Sequence, residues 1–326
     1  MIAAAADAPA APGRSCPLHY RYRPEVFASA APSALQGLDV LYVVGGLYGN
    51  ALALQQVLRL FDAERGRKRL VFNGDFHWFD ADAATFAQVQ GGVLAHTALR
   101  GNVETEIAAD AHDDADDAGC GCAYPDWVGD VVVQRSNRIL RRLRGVVTAA
   151  QRTELAALPM WLRADVGALR IGIVHGDAQS LAGWGFAQEH LQNRAHRAEV
   201  TRWFEAAQVH AFAGSHTCLP VFQTLRSGHA VYNNGAAGMP NFAGDGAGLL
   251  TRFALQRFAG PQRRHAVQQQ GVYVEAIAID TDAAELQRRF LACWPPGSDA
   301  HASYFERIAR GPDYTAGQVL RSDTAV

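Results

Sequence analysis

The sequence predicts an α/β fold of two packed, mixed β-sheets flanked by helices, with a helical insertion. Three observations carry this. The first half repeats strand, glycine turn and helix, the rhythm of α/β architectures. The second half is dominated by short β-type runs with few helices between them, which fits a second sheet against the first. The chain has 326 residues, 49% of them hydrophobic, ample for a buried core of this size.

The elements follow in order. Residues 38–44 (LDVLYVV) form an apolar, β-branched run ending at Gly45-Gly46. Apolar residues then recur at helical spacing over 50–58, with Asn50 as N-cap. Residues 70–72 read as a strand ending at Gly74-Asp75, 85–90 as a helix, and 93–99 as a third strand ending at Gly101-Asn102. An acidic, small-residue loop over 110–121 interrupts the rhythm and ends in Cys120 and Cys122. Residues 131–143 and 148–158 read as helices, so 106–160 is expected as a helical insertion over the sheet ends. Residues 169–174 form a strand running into His175, 195–207 a helix, and 209–213 a strand leading to Gly214-Ser215-His216. Strands are expected at 221–225, 230–232, 249–255 and 272–279, and a closing helix at 282–293. The tail, 295–326, is left unassigned, and the main domain spans 16–294.

Net charge is −2, from 30 basic and 32 acidic side chains. No basic excess argues for nucleic acid. The Ala/Pro-rich stretch 3–11 lacks the basic start and continuous apolar core of a signal peptide and reads as part of a disordered leader over 1–15. No apolar run approaches the length of a membrane span. Five cysteines are too scattered for a disulfide framework. A soluble, cytoplasmic protein is the expectation, with the oligomeric state left open.

Four ligand-type residues each follow a strand-type run: Asp75, Asn102, His175 and His216. In open α/β sheets, functional groups collect where strands end. One carboxylate, one amide oxygen and two imidazoles suit a single divalent first-row metal, Mn, Fe or Zn. Taken singly, a Gly-Asp or a strand-end histidine is turn chemistry or packing. Four in this order are far more specific.

The order resembles the calcineurin-like metallophosphoesterase superfamily over about residues 38–255. That family runs Asp-x-His-Gly-Asn, Gly-Asp, Gly-Asn-His-Asp/Glu, His-Gly and Gly-His-x-His. The matching segments are Gly46-Leu47-Tyr48-Gly49-Asn50, Gly74-Asp75, Gly101-Asn102-Val103-Glu104, His175-Gly176 and Ser215-His216-Thr217-Cys218. Leu219-Pro220 and Tyr232-Asn233-Asn234-Gly235 extend the match, and short phosphodiesterase-type members are nearest. The resemblance implies that Asn102, His175 and His216 hold one metal, together with Asp75, which bridges two metals in the family. At the other metal's private ligands this chain has Gly46, Tyr48 and Cys218, and Val103 replaces the usual acid. Loss confined to one site implies a retained mononuclear centre. If Gly214 is aligned with the family glycine, Ser215 falls on the ligand position; His216 is preferred because His-Thr-x-x-Pro then matches.

The candidate catalytic groups are His77, Tyr48 and Glu104. His77 could turn toward the metal or act as a general acid, or simply be a bonded loop histidine beside aromatics. Tyr48 could bond a phosphate or fill the vacated metal space. Glu104 and Asp177 flank the ligands and could orient them. Arg100 is the candidate substrate-binding residue, with ending a strand as the plain alternative. Cys218, with Cys120 and Cys122, could build a thiolate site in place of the first metal. Trp78, Trp127, Trp184 and Phe186 are candidate stacking surfaces for a flat ligand. The arginines at 138, 141, 142 and 144 read first as a solvated helix face, with phosphate binding as the alternative.

The function expected is metal-dependent phosphoester hydrolysis, of phosphodiesterase type, on a small phosphorylated substrate. Two alternatives stand beside it: a catalytically inactive relative binding a ligand or partner, and a metalloprotein with cysteine-assisted chemistry.

Overall fold

The structure is a computed structural model describing residues 13–14, 16–29, 35–109 and 119–323. Most of the expected leader and residues 110–118 of the acidic loop lie outside the described residues. The strands are β1 (Val40–Val44), β2 (Lys68–Asn73), β3 (Thr97–Leu99), β4 (Trp161–Val166), β5 (Leu169–Val174), β6 (Ala211–Gly214), β7 (Pro220–Thr224), β8 (Ala230–Asn234), β9 (Gly248–Ala254), β10 (Arg263–Gln269), β11 (Val272–Ile279) and β12 (Leu320–Ser322). The helices are α1 (Glu25–Ala28), α2 (Ala51–Asp62), α3 (Ala83–Leu94), α4 (Asn102–Ala108), α5 (Asp130–Arg144), α6 (Ala149–Ala156), α7 (Arg194–Ala207), α8 (Ala283–Cys293) and α9 (Asp299–Arg310).

Two six-stranded mixed sheets form, in the orders β10-β11-β9-β1-β2-β3 and β12-β7-β8-β6-β5-β4. Side-chain alternation along each strand builds the layers. Leu41 and Val43 of β1 join Ile171 and Ile173 of β5 and Ala211 and Ala213 of β6 in the core between the sheets. Tyr42 and Val44 face the other way, into a cluster with Leu54 and Val57 of α2 and Phe86 and Val89 of α3. Phe212 of β6 and Val231 of β8 meet Val200, Trp203 and Phe204 of α7 on the outside of the second sheet. The result is a helix–sheet–sheet–helix sandwich. Among the described residues, no helix is long and apolar enough to cross a membrane.

The local signals explain most elements. Asn50 caps α2, accepting from the Leu52 and Ala53 N–H groups at 3.0 and 3.1 Å. Asp282 caps α8 in the same way. The run 93–99, expected as one strand, divides. Val93 continues the buried stripe of Phe86 and Val89 at helical spacing, so α3 runs to Leu94 and β3 keeps only three residues. The tail supplies α9, capped by Ser298, and β12, which pairs in parallel with β7. Helices α5 and α6 lie within 106–160, the stretch expected as a helical insertion, and α4 straddles its start. α5 packs on α9 and α4 on α6.

Candidate metal centre

The parallel strands of both sheets deliver their carboxyl ends to one place. Asp75 lies two residues past β2, Asn102 opens α4 just after β3, His175 follows β5 and His216 lies two residues past β6. Asn73 joins the two sheet ends by donating through Nδ2 to the Val174 carbonyl at 2.6 Å. Asp75 sits at φ +49, a left-handed conformation that costs a non-glycine residue roughly 1–2 kcal/mol. Glu104 holds that turn: its carboxylate accepts from the Asp75 and Gly101 N–H groups, both at 2.8 Å, and from His77 N–H at 3.2 Å.

Asp75, His175 and His216 offer ligand atoms within 4.8 Å of one another. His175 Nε2 is central. It lies 3.3 Å from Asp75 Oδ2, 3.2 Å from Asn102 Oδ1 and 3.1 Å from His216 Nδ1. The outer partners decide which atoms carry lone pairs. His175 Nδ1 donates to the Asn73 carbonyl at 2.9 Å, and His216 Nε2 donates to the Cys122 carbonyl at 3.2 Å. Asn102 Nδ2 donates to the Cys120 carbonyl at 2.9 Å and to Cys122 Sγ at 3.3 Å, which turns Oδ1 inward. Two imine nitrogens, an amide oxygen and a carboxylate oxygen therefore converge with no hydrogen of their own among them. Such a group of acceptors is repulsive unless a proton or a cation lies between them.

The proton balance says the same. Burial pushes the Asp75 carboxyl up, but the His175 and His216 imidazoles and the Val103 N–H more than offset it, and the group is lowered overall. Burial disfavours charge on His175, yet Asp75 raises it overall. Burial and the neighbouring His175 push His216 down to about 3. With no cation, the Asp75 carboxylate favours a proton on His175. A divalent metal fits that place: the donor set is mixed N/O, and each ligand has an outer partner fixing its orientation.

No family model matches the chain, and no curated protein matches its sequence. Solved structures do match its fold. The hypothetical protein PH1004 from Pyrococcus horikoshii superposes with a TM-score of 0.58 at 14% identity, covering 84% of this chain and 99% of that one. A metallophosphoesterase from Sphaerobacter thermophilus gives 0.54 at 15% identity, covering 84% and 100%. The chain has the calcineurin-like metallophosphoesterase fold.

Over Gly46 the space is filled by protein. A Cβ on Gly46 would lie 2.7–2.8 Å from the outer ring atoms and hydroxyl of Tyr48. The tyrosine ring thus lies over the place where a side chain at 46 would begin. Its hydroxyl meets Cys218 Sγ at 2.7 Å, and both residues adopt positive φ, +52 and +60. The Tyr48 hydroxyl is thus engaged within the protein.

The remaining candidates are dispersed. His77 does not join the cluster: its ring stacks on Phe86 at 3.6 Å, and Nδ1 meets Asp80 Oδ2 at 2.6 Å. Arg100 Nη1 donates to the Ala156 carbonyl at 3.1 Å, at the C-terminal end of α6. The three sulfurs weighed as a thiolate site are not gathered. Cys120 and Cys122 pair at 3.1 Å beside Asn102, while Cys218 pairs with Tyr48. Trp78 and Phe186 are core residues; Trp127 is exposed, and Trp184 is half-buried with its ring 5.5 Å from that of His216. Asp177 accepts from Gln179, Ser180 and Gly185 N–H groups, shaping the loop that carries Trp184. Arg138 pairs with Asp299, Arg142 lies over the Trp294 ring at 4.3 Å, and Arg144 bonds the Glu106 carbonyl.

Sequence reasoning does not find the backbone partners of the ligands. The Asn73, Cys120 and Cys122 carbonyls have no side-chain signature. Ser215, met only as an alignment alternative to His216, donates to the Asn73 carbonyl at 2.9 Å.

Proposed function

We propose that the protein is a metal-dependent phosphoester hydrolase of phosphodiesterase type, with one divalent metal held by Asp75, Asn102, His175 and His216. The observation that carries it is the convergence of four lone-pair atoms on one point, each oriented by an outer hydrogen bond. Mn, Fe and Zn all suit this donor set. When bound, such a cation supplies Lewis-acid activation of a phosphoryl oxygen and of water. The chain's own residues then orient the ligands: Glu104 holds the Asp75 turn, Asn73 fixes the His175 tautomer, and Cys122 fixes that of His216.

The absence of an acid at Val103 and the engagement of Tyr48 with Cys218 leave a poor leaving group without a proton donor. A diester or an activated ester makes less demand. A groove of about 760 Å³ adjoins the centre through Trp184, lined by Tyr22, Asp177 and His190 with Arg21 and Arg23 among its residues. It supports a small phosphorylated substrate. The test is hydrolysis of bis(p-nitrophenyl) phosphate by chelator-treated protein reloaded with Mn, Fe, Co or Zn. Metal-dependent turnover that is lost in His175→Ala is expected.

One observation favours a second reading, a ligand-binding protein without catalysis. The exposure of Asp75, Asn102, His175 and His216 is only 5%, 0%, 0% and 5%. The Cys122 carbonyl, which also accepts from Trp184 Nε1 at 2.9 Å, lies against the site. Stoichiometric binding with no turnover under any metal would select that reading.

A further inference from the structure

The loop against the metal centre carries two thiols that neither the ligand set nor the proposed chemistry uses. Cys120 and Cys122 flank Gly121, and their sulfurs lie 3.1 Å apart. Gly121 adopts φ +69, and a Cβ there would stand 2.2 Å from the Tyr20 hydroxyl and 3.2 Å from Asn102 Cβ, so glycine lets the loop approach this closely. Asn137 anchors the loop from α5, accepting from the Cys120 N–H at 2.9 Å. The same short segment makes three of the contacts that orient metal ligands. The Cys120 carbonyl and Cys122 Sγ accept from Asn102, and the Cys122 carbonyl accepts from His216. A disulfide brings sulfurs to about 2.05 Å, so closing one here draws them together by roughly 1 Å. One of the two sulfurs that must move, Cys122 Sγ, is itself an Asn102 contact, and a ring closed over one residue constrains the backbone that carries the two carbonyls.

We infer that Cys120 and Cys122 form a reversible dithiol–disulfide pair, and that closing the disulfide weakens the metal centre. The second half rests on the metal reading above; the first does not. The oxidant is a small-molecule disulfide, RSSR. Cys122, the less buried of the two, attacks one sulfur of RSSR, forming a mixed disulfide and expelling one RS⁻. Cys120 then attacks the Cys122 sulfur, forming the protein disulfide and expelling the second RS⁻. Two electrons pass from the protein dithiol to RSSR, and the two thiol protons leave with the products as 2 RSH. A ring closed over one residue is strained and therefore easily reduced, the property of labile rather than structural disulfides. The linkage is reciprocal: whatever factor the disulfide takes from metal affinity, bound metal takes from disulfide stability.

The test uses the full chain, metal-free, incubated with oxidised glutathione. The Cys120 hydrogen bond and burial raise the Cys122 thiol, so exchange is slow and incubation runs for hours. Alkylation after denaturation should label all five cysteines in reduced protein and two fewer in oxidised protein. Peptide mapping should assign the missing pair to Cys120 and Cys122. Cobalt should then bind the oxidised protein at least tenfold more weakly than the reduced protein. In the double variant Cys120→Ser/Cys122→Ser, which can form neither the mixed nor the internal disulfide, the ratio of affinities with and without oxidant should be one. Unchanged labelling would overturn the pair. Disulfide formation with unchanged cobalt affinity would overturn the coupling. Failure of reduced protein to bind cobalt at all would refute the metal reading and the coupling together, while the labelling result still decides the pair.

Discussion

Replacing Asp75 by asparagine removes the only formal negative charge among the four proposed ligands while keeping the side chain's shape. In the structure, Asp75 Oδ1 accepts from the Val103 N–H at 3.2 Å and Oδ2 lies 3.3 Å from His175 Nε2. An asparagine can keep the first contact through its oxygen and offer an N–H to His175 with the other arm. The fold should therefore survive. A cation among these ligand atoms is attracted to the Asp75 carboxylate by at least about 4 kcal/mol, the value for two unit charges about 4 Å apart at an effective dielectric constant of about 20. A neutral amide oxygen recovers part of that, leaving a loss of about 3–4 kcal/mol, or roughly two to three orders of magnitude in metal affinity. The assay is equilibrium dialysis or calorimetric titration of chelator-treated wild type and Asp75→Asn with Mn and Zn, with circular dichroism to check the fold. Equal affinities in two equally folded proteins would refute the assignment of Asp75 as a ligand.

Three further outcomes are expected. Glu104→Gln keeps the size of the side chain but weakens the three N–H bonds at Asp75, Gly101 and His77, so it should cost about 1–3 kcal/mol in urea denaturation. It should also lower metal affinity without changing stoichiometry. Tyr48→Ala should cost about 3–5 kcal/mol by emptying the space over Gly46, whereas Tyr48→Phe loses only the contact with Cys218, about 1 kcal/mol; both should still bind one metal. For metal-free protein, His216 is held at about 3 in the fold against an ordinary 6.5. Its depressed value means the unfolded chain takes a proton that the folded chain refuses. Stability should thus fall between pH 6.5 and about 3 by up to roughly 1.4 kcal/mol per pH unit. The raised His175 has the opposite sign, but its contribution is already complete below 6.5. Thermal melting from pH 7 to 5 checks the slope, which His216→Gln should reduce.

The layered fold was legible where the sequence alternates or punctuates strongly. Asn50 and Asp282 announced their helices, and the apolar runs before Gly45, Gly74 and His175 announced β1, β2 and β5. β10 was not legible, because an edge strand with the sequence RRHAVQQ has only Ala266 and Val267 as apolar residues, on opposite faces, and so has almost no apolar face. Its turn to β11 is made by Gln270 and Gly271 at φ +50 and +79, a two-residue hairpin with only one glycine to signal it. β4 was missed because Trp161, Leu162 and Arg163 are all only partly buried. α9 was missed because its buried positions include only Ala300 and Ile308.

At the site, the ligand-type side chains were legible because strand ends gather them. Their orientation was not, since backbone carbonyls at Asn73, Cys120 and Cys122 set it. His77 shows the limit from the other side. Two residues from Asp75 in sequence, it is drawn instead onto Asp80 and Phe86, where a buried ring gains both a hydrogen bond and a stacking face.

The central claim is a single metal centre built on His175. Metal content per chain, measured by elemental analysis after loading with Mn, Fe or Zn and removing excess, tests it most directly. One metal per chain in the wild type and none in a folded His175→Ala variant is the predicted result. Two metals per chain, or one metal retained by His175→Ala, would contradict it.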